Sequence, residues 1–190
     1  MNYPFEVKEF LLYNQNMEKT FNQIVGAPVI VEGMGKVARI TDILIDHKDG
    51  KVCCFFVDKG KMKVIIPMDI VFFGQAVTIH DSEDIIDAQD VIKVKDCIES
   101  DIRIHKSRVE TKKGEYLGKV HNFMLDVKGF GLTKIVVYKS ILGLLKSPDR
   151  IISARDIIEI KKDLIIVKNK CAKAYDDEEE RVAALKPDMA

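Results

Sequence analysis

Apolar residues along this chain come in short runs separated by turn signals, and the runs recur. Ile40-Thr41-Asp42-Ile43-Leu44-Ile45-Asp46 returns as Val120-His121-Asn122-Phe123-Met124-Leu125-Asp126, at a constant offset of 80 residues. Each copy is mostly apolar, carries Asp or Asn in third place and ends in Asp. The same offset aligns Val29 with Val109, Ala38 with Gly118, Val52 with Leu132 and Phe55 with Ile135. Asp69-Ile70-Val71 then aligns with Asp156-Ile157-Ile158 at an offset of 87, and Val77-Thr78-Ile79 with Leu164-Ile165-Ile166 at the same 87. A repeat this long with one gap predicts two copies of one supersecondary unit. The second copy holds a seven-residue insertion between Tyr138 and Ile152.

The runs themselves read as strands. Val29–Val31, Val37–Asp46, Val52–Asp58, Val64–Ile66 and Ala76–Ile79 are rich in β-branched and aromatic residues and bounded by Gly, Asp and Lys clusters. Glu32-Gly33-Met34-Gly35, His47-Lys48-Asp49-Gly50 and Lys59-Gly60-Lys61 are the turns. Pro28 holds Ala27 extended and opens the first strand. Residues 18–27 read as a short turn or helix before it, and Met68-Asp69-Ile70-Val71 as one helical turn after Pro67. Between the copies, Val91, Val94, Ile98 and Ile102 recur at three or four residues, the spacing of one helical face, and predict a helix with an acidic exterior. The second copy repeats the plan, with turns at Lys112-Lys113-Gly114 and Lys128-Gly129-Phe130-Gly131. The organisation is therefore a leader over 1–16, a first unit over 17–80, an acidic helical linker over 81–103, a second unit over 104–171 and an acidic tail over 172–190.

Gly114-Glu115-Tyr116-Leu117-Gly118-Lys119-Val120, the shorter Gly35-Lys36-Val37-Ala38-Arg39-Ile40 and the Ile66-Pro67 pair resemble the pattern of the PRC-barrel family. The second copy has Ile152-Ser153 where the pattern has Ile-Pro. The family includes the cytoplasmic barrel of a photosynthetic reaction-centre subunit and the C-terminal domain of a ribosome maturation factor. The resemblance implies an all-β fold of two small PRC-like β-barrels in tandem, joined by a short helix. It implies a binding module rather than a catalyst. The matching residues serve packing, so they speak to fold and say little about function.

Charge changes the picture more than composition does. The 30 basic and 30 acidic residues cancel, yet residues 102–171 hold 16 basic against 7 acidic, a net of +9, and residues 81–101 hold 2 against 8, a net of −6. The second unit is basic and the segments beside it are acidic. Lys106, Arg108, Lys112, Lys113, Lys119 and Lys128 are candidates for an anion- or RNA-binding surface. Internal neutralisation by the linker and tail, or within a homodimer, is the competing reading. The insertion around Ile141, Leu142, Leu144 and Leu145 is either an apolar patch that binds a partner protein or a cap over the barrel end.

Catalytic and metal chemistry lack a motif. Gly33-x-Gly35 and Gly129-x-Gly131 lack the helix start or Gly-Lys-Ser/Thr of a phosphate loop and read as hairpin turns. His47, His80, His105 and His121 are scattered, and Cys53, Cys54, Cys97 and Cys171 have no C-x-x-C spacing. Cys53 and Cys54, neighbours on one strand, should face opposite sides. The recurring Asp42, Asp46, Asn122 and Asp126 fit strand ends and turn amides better than paired catalytic carboxylates, because both copies need the turn. No apolar stretch approaches the roughly 20 residues of a membrane-spanning helix. The expectation is a cytoplasmic, non-enzymatic adaptor without cofactor or metal that docks on another protein. The alternative is a ribosome- or RNA-associated factor.

Overall fold

The computed structural model describes residues 18–141, 145–146 and 149–172. The leader, the tail beyond Ala172, and Leu142 and Leu144 of the insertion lie outside the described residues. The architecture is all-β: two seven-stranded sheets and one short hairpin.

The first half comprises β1 (Glu18–Thr20), a four-residue α1 (Phe21–Ile24), β2 (Pro28–Val31), β3 (Gly35–Ile45), β4 (Val52–Val57), β5 (Lys63–Ile65), β6 (Ile70–Phe73), β7 (Val77–Ile79) and β8 (Ile86–Asp87). Helix α2 (Ile92–Glu99) follows. The second half comprises β9 (Arg108–Thr111), β10 (Tyr116–Asp126), β11 (Gly131–Tyr138), β12 (Ser140–Ile141), β13 (Leu145–Lys146), β14 (Arg150–Ser153), β15 (Ile157–Lys161) and β16 (Leu164–Val167). The sheets run β6-β7-β2-β3-β4-β5-β8 and β14-β11-β10-β9-β16-β15. In each, the first and last strands of the repeat pair in parallel, β2 with β7 and β9 with β16, while the rest of the ladder is antiparallel.

The repeat is kept at the level of single residue pairs. Ala38 sits opposite Val29 and Gly118 opposite Val109. Ile40 faces Val57, Ile43 faces Phe55, and their counterparts Val120 with Val137 and Phe123 with Ile135 sit at the same shift of 80. Even the β-bulges coincide, between residues 40 and 42 and between 120 and 122. These bulges bend one long strand so that its first half pairs on one side and its second half on the other. The offset changes to 87 at β5 and β14, where Phe55 faces Ile65 and Ile135 faces Ile152. The inserted residues lie between β11 and β14 and include the β12–β13 hairpin.

The last strand departs from the expected alignment. Val77 pairs with Val29 and Ile165 with Val109, so β16 follows β7 at 88 residues, not 87. The buried residues agree: Val77 and Ile79 in β7, Ile165 and Val167 in β16. One extra residue in the β15–β16 turn accounts for the change. A slip of one residue exchanges the inner and outer faces of a strand, which is why aligning Leu164 with Val77 placed an outer residue at an inner position.

Two other segments differ from expectation. Residues 18–20 form a strand that crosses to the second half and pairs with β10, Lys19 opposite Leu125. The segment expected to be one helix instead contains two 3-10 turns, strand β8 on the edge of β5, and only eight helical residues. Asp81 caps the first turn by accepting the Glu83 amide, and such local caps divert a chain from continuous helix. Val94 and Cys97 of α2 are buried against Leu44, Cys53, Cys54 and Val64.

The two halves meet through equivalent turns. The Val52 amide donates to the Phe130 carbonyl and the Leu132 amide to the Gly50 carbonyl, both at 2.8 Å, while Lys51 bridges Gly131. Each bond is the other's counterpart at the shift of 80, so the halves face each other across a local two-fold axis, as subunits do in an isologous dimer. Phe130 packs edge-on to Phe55 at 6.1 Å and beside Phe73 at 6.2 Å, and Phe21 packs on Phe123 at 5.0 Å. A single cluster of buried side chains runs through both halves.

Candidate functional site

The recurring carboxylates hold backbone. Asp42 Oδ1 accepts the Ile43 amide at 2.8 Å, and Asn122 Oδ1 accepts the Phe123 amide at 3.0 Å. Asp46 accepts the Lys48 amide and Asp126 the amides of Lys128 and Gly129. These are turn bonds of the kind Asp and Asn make locally.

Asp46 has a second set of neighbours that sequence spacing did not announce. Its carboxylate, Cys53 and Cys97 bring one ligand atom each within 4.8 Å of one another, and all three residues are buried. The cause is the bulge in β4. Leu44 pairs with Cys54 and Ile45 with Val52, which leaves Cys53 as the extra residue, so Cys53 and Cys54 both enter the cluster beneath α2 rather than facing opposite sides. Cys53 Sγ lies 2.6 Å from Cys97 Sγ. Burial pushes all three of these thiols up, Cys54 to about 12. Two thiolates on one zinc ion would stand roughly 3.8 Å apart, from Zn–S bonds of about 2.3 Å at a tetrahedral angle. The Lys93 ammonium sits 3.5 Å from Asp46 Oδ2, where it would repel a cation. The trio therefore fits sulfur–sulfur chemistry better than a metal.

A cleft of about 130 Å³ lies where residues 102–105 pass β3, lined by Asp42, Ile45, Arg103, His105 and Phe123 among others. Burial pushes the His105 imidazole down, with Lys106 adding to the effect and Asp42 opposing it. Its ring packs against Phe21 in a tilted arrangement, centroids 4.7 Å apart. Small-molecule sites span about 300–1,000 Å³, so this volume fits a seam between the halves and not a substrate pocket.

The six basic candidates are all exposed. Arg108 and Lys119 are cross-strand neighbours on β9 and β10, with Lys106 just before β9. Lys112 and Lys113 occupy the β9–β10 turn, whereas Lys128 lies beyond the other end of β10, roughly 30 Å of strand away. The Arg108 guanidinium lies 4.4 Å over the Tyr116 ring and its Nε bonds Glu110 at 2.5 Å; Lys139 Nζ is 5.8 Å from the same ring. Other cations of this half are paired within the chain: Lys134 with Glu18, Lys162 with linker residue Asp101, Lys168 and Lys170 with Asp156. Burial pushes the Asp156 carboxyl up, but hydrogen bonds from those two lysines prevail and hold it below the ordinary carboxylate value.

Several of the exposed apolar residues lie at or beside the sheet ends. Met68 is 82% exposed, Val71 53% and Phe72 46%, on or just before β6; Ile158 on β15 is 48% exposed. Among the described residues β6 and β15 each end one of the two sheets, whose other ends are β8 and β14. Val71 and Ile158 are counterparts at the offset of 87. In the insertion, the backbones of Ile141 and Leu145 pair across β12 and β13.

Residues 17–95 match the family model of the PRC-barrel domain. That stretch is similar to the PRC-barrel family. A comparison with curated proteins finds no match. The matched PRC-barrel segment reaches into α2, in keeping with β8 and α2 packing on the first sheet. The second half repeats the strand order and register of that PRC-barrel. No helix among the described residues is long and apolar enough to cross a membrane. The edge pair Val71 and Ile158 had a signal in the sequence: both are apolar at matching places in the repeat. The Asp46–Cys53–Cys97 cluster had none, because a bulge and a helix packing decide it.

Proposed function

We propose that the chain is a non-enzymatic adaptor in which two PRC-type halves present a protein-binding surface. The observation that carries this reading is the exposed apolar pair Val71 and Ile158 at equivalent places on one terminal strand of each sheet. A terminal strand offers its outer edge to an added strand, and apolar side chains beside it add burial and selectivity. The two-fold relation between the halves supplies two such edges on one rigid body, suited to a partner with paired or repeated extended segments.

The test is co-purification of the full chain from its own cells, comparing the parent with Val71→Lys/Ile158→Lys. Lysine on an edge strand blocks pairing without disturbing the core. The double variant is expected to lose at least ten-fold of a defined protein partner that the parent keeps in high salt, with its unfolding midpoint unchanged. Retention of the partner by the variant would contradict the assignment of these edges.

A second reading, an RNA- or ribosome-associated role, is favoured by the Arg108–Tyr116–Lys139 group, where a ring lies beneath cations. It is distinguished in the same experiment. Binding through phosphate contacts weakens steeply with salt and disappears with ribonuclease.

A further inference from the structure

We propose that Cys53 and Cys97 form a reversible dithiol–disulfide pair that staples helix α2 to strand β4. The sulfurs stand 2.6 Å apart, against ~2.04 Å in a disulfide, so closure needs only a small side-chain movement. The bulge that turns Cys53 toward α2 is what makes the approach possible. Cys54, one residue on, lies in the same cluster but pairs in register with Leu44.

Access to the thiols comes from α2 itself. It has eight residues, its N-terminal cap Val91 supplies no side-chain bond, and its first residue, Ile92, is 80% exposed. A helix this short depends on its packing and opens locally more readily than the core strands. The charged groups facing the pair are Asp46, Asp49 and Lys93. Burial keeps both thiols protonated at neutral pH, so oxidation should quicken as pH rises.

The oxidant is a low-molecular-weight disulfide. One cysteine thiolate attacks it and forms a mixed disulfide, releasing one small thiolate. The second cysteine thiolate then attacks the protein sulfur of that mixed disulfide and releases the other. Two protein thiols are oxidised, two protons leave, and one small disulfide is reduced to two thiols. The product joins residues 44 apart, and closing a loop of that length restricts the unfolded chain.

The experiment uses the full chain, reduced with dithiothreitol or incubated with oxidised glutathione at pH 8.5, then alkylated in denaturant and digested with trypsin. The expected product is a peptide pair joining residues 52–59 to 96–103, two hydrogens lighter, reversed by dithiothreitol. It should be unaffected by Cys54→Ser and absent in Cys97→Ser and Cys97→Ala. Because residues 52–59 also contain Cys54, the Cys54→Ser result assigns the bond to Cys53. Thermal unfolding of the oxidised parent should lie about 5–10 °C above that of the reduced parent. Glutathione adducts without the cross-link, or a cross-link lost in Cys54→Ser, would overturn the proposal. So would stoichiometric zinc uptake abolished by Cys53→Ser or Asp46→Asn, which would make the trio a metal site.

Discussion

Phe130→Ala is expected to lower stability by about 2–3 kcal/mol, below the roughly 3–5 kcal/mol of fully buried phenylalanine truncations because the ring is half-buried. Phe130→Gly is expected to cost about 1 kcal/mol less than that. This order reverses the usual one, in which glycine is the worse replacement. The reason lies in the turn. Phe130 has φ +50°, in the left-handed region, and its counterpart Gly50 has φ +70°. A non-glycine residue there costs roughly 1–2 kcal/mol, which alanine keeps and glycine relieves. The ring is retained against that cost because it fills the junction against Phe55 and Phe73 of the other half. Chemical denaturation of the parent and both variants measures the two differences. Equal losses would mean that backbone strain is not held by the packing of this ring.

Gly118→Ala is the second large effect, expected at about 3 kcal/mol, or roughly 6–12 °C in Tm for a chain of this size. Gly118 has φ +134°, and a Cβ placed there would fall 2.1 Å from the Tyr138 carbonyl oxygen and 2.6 Å from its carbon. Those atoms are backbone in β11, so relief requires the β10–β11 ladder to move. Gly35→Ala is the control. Gly35 also has positive φ, +79°, but a Cβ there meets nothing within 4 Å. It should cost about 1 kcal/mol, from conformation alone. Similar losses in the two variants would show that the close approach at Gly118 does not govern stability.

These two positions also mark how far the sequence could be read. The shift of 80 predicted which residues of the long strands face each other, because a buried face fixes register and both copies bury the same face. The alignment of Ala38 with Gly118 showed that the position stays small, but not that the second copy takes positive φ there. Both copies carry the same bulge there, yet Ala38 is not among the residues at positive φ. A bulge and a turn insertion explain the two clearest departures. Strict alternation placed Cys53 and Cys54 on opposite faces, and the extra residue in β4 overrides it. The single added residue at the β15–β16 turn moved β16 by one, a change that a run of interchangeable Leu, Ile and Val does not reveal. The crossing of residues 18–20 to β10 was hidden for a different reason. Glu18, Lys19 and Thr20 carry no apolar pattern, and their pairing is set by a distant strand and by the Lys134–Glu18 bond. The apolar edges were open to inspection, since Val71 and Ile158 align; their exposure follows from the strand order, which the repeat did not specify.

The two halves form one body across a local two-fold axis, with a core that continues through the turns at Gly50 and Phe130. Differential scanning calorimetry of the reduced full chain tests it most directly. A shared core predicts one reversible transition whose calorimetric and van 't Hoff enthalpies agree, and a Phe130→Ala variant in which that single transition shifts down as a whole. Two resolved transitions in the parent, with Phe130→Ala moving neither or only one, would contradict the account and leave the halves as independent domains on a linker.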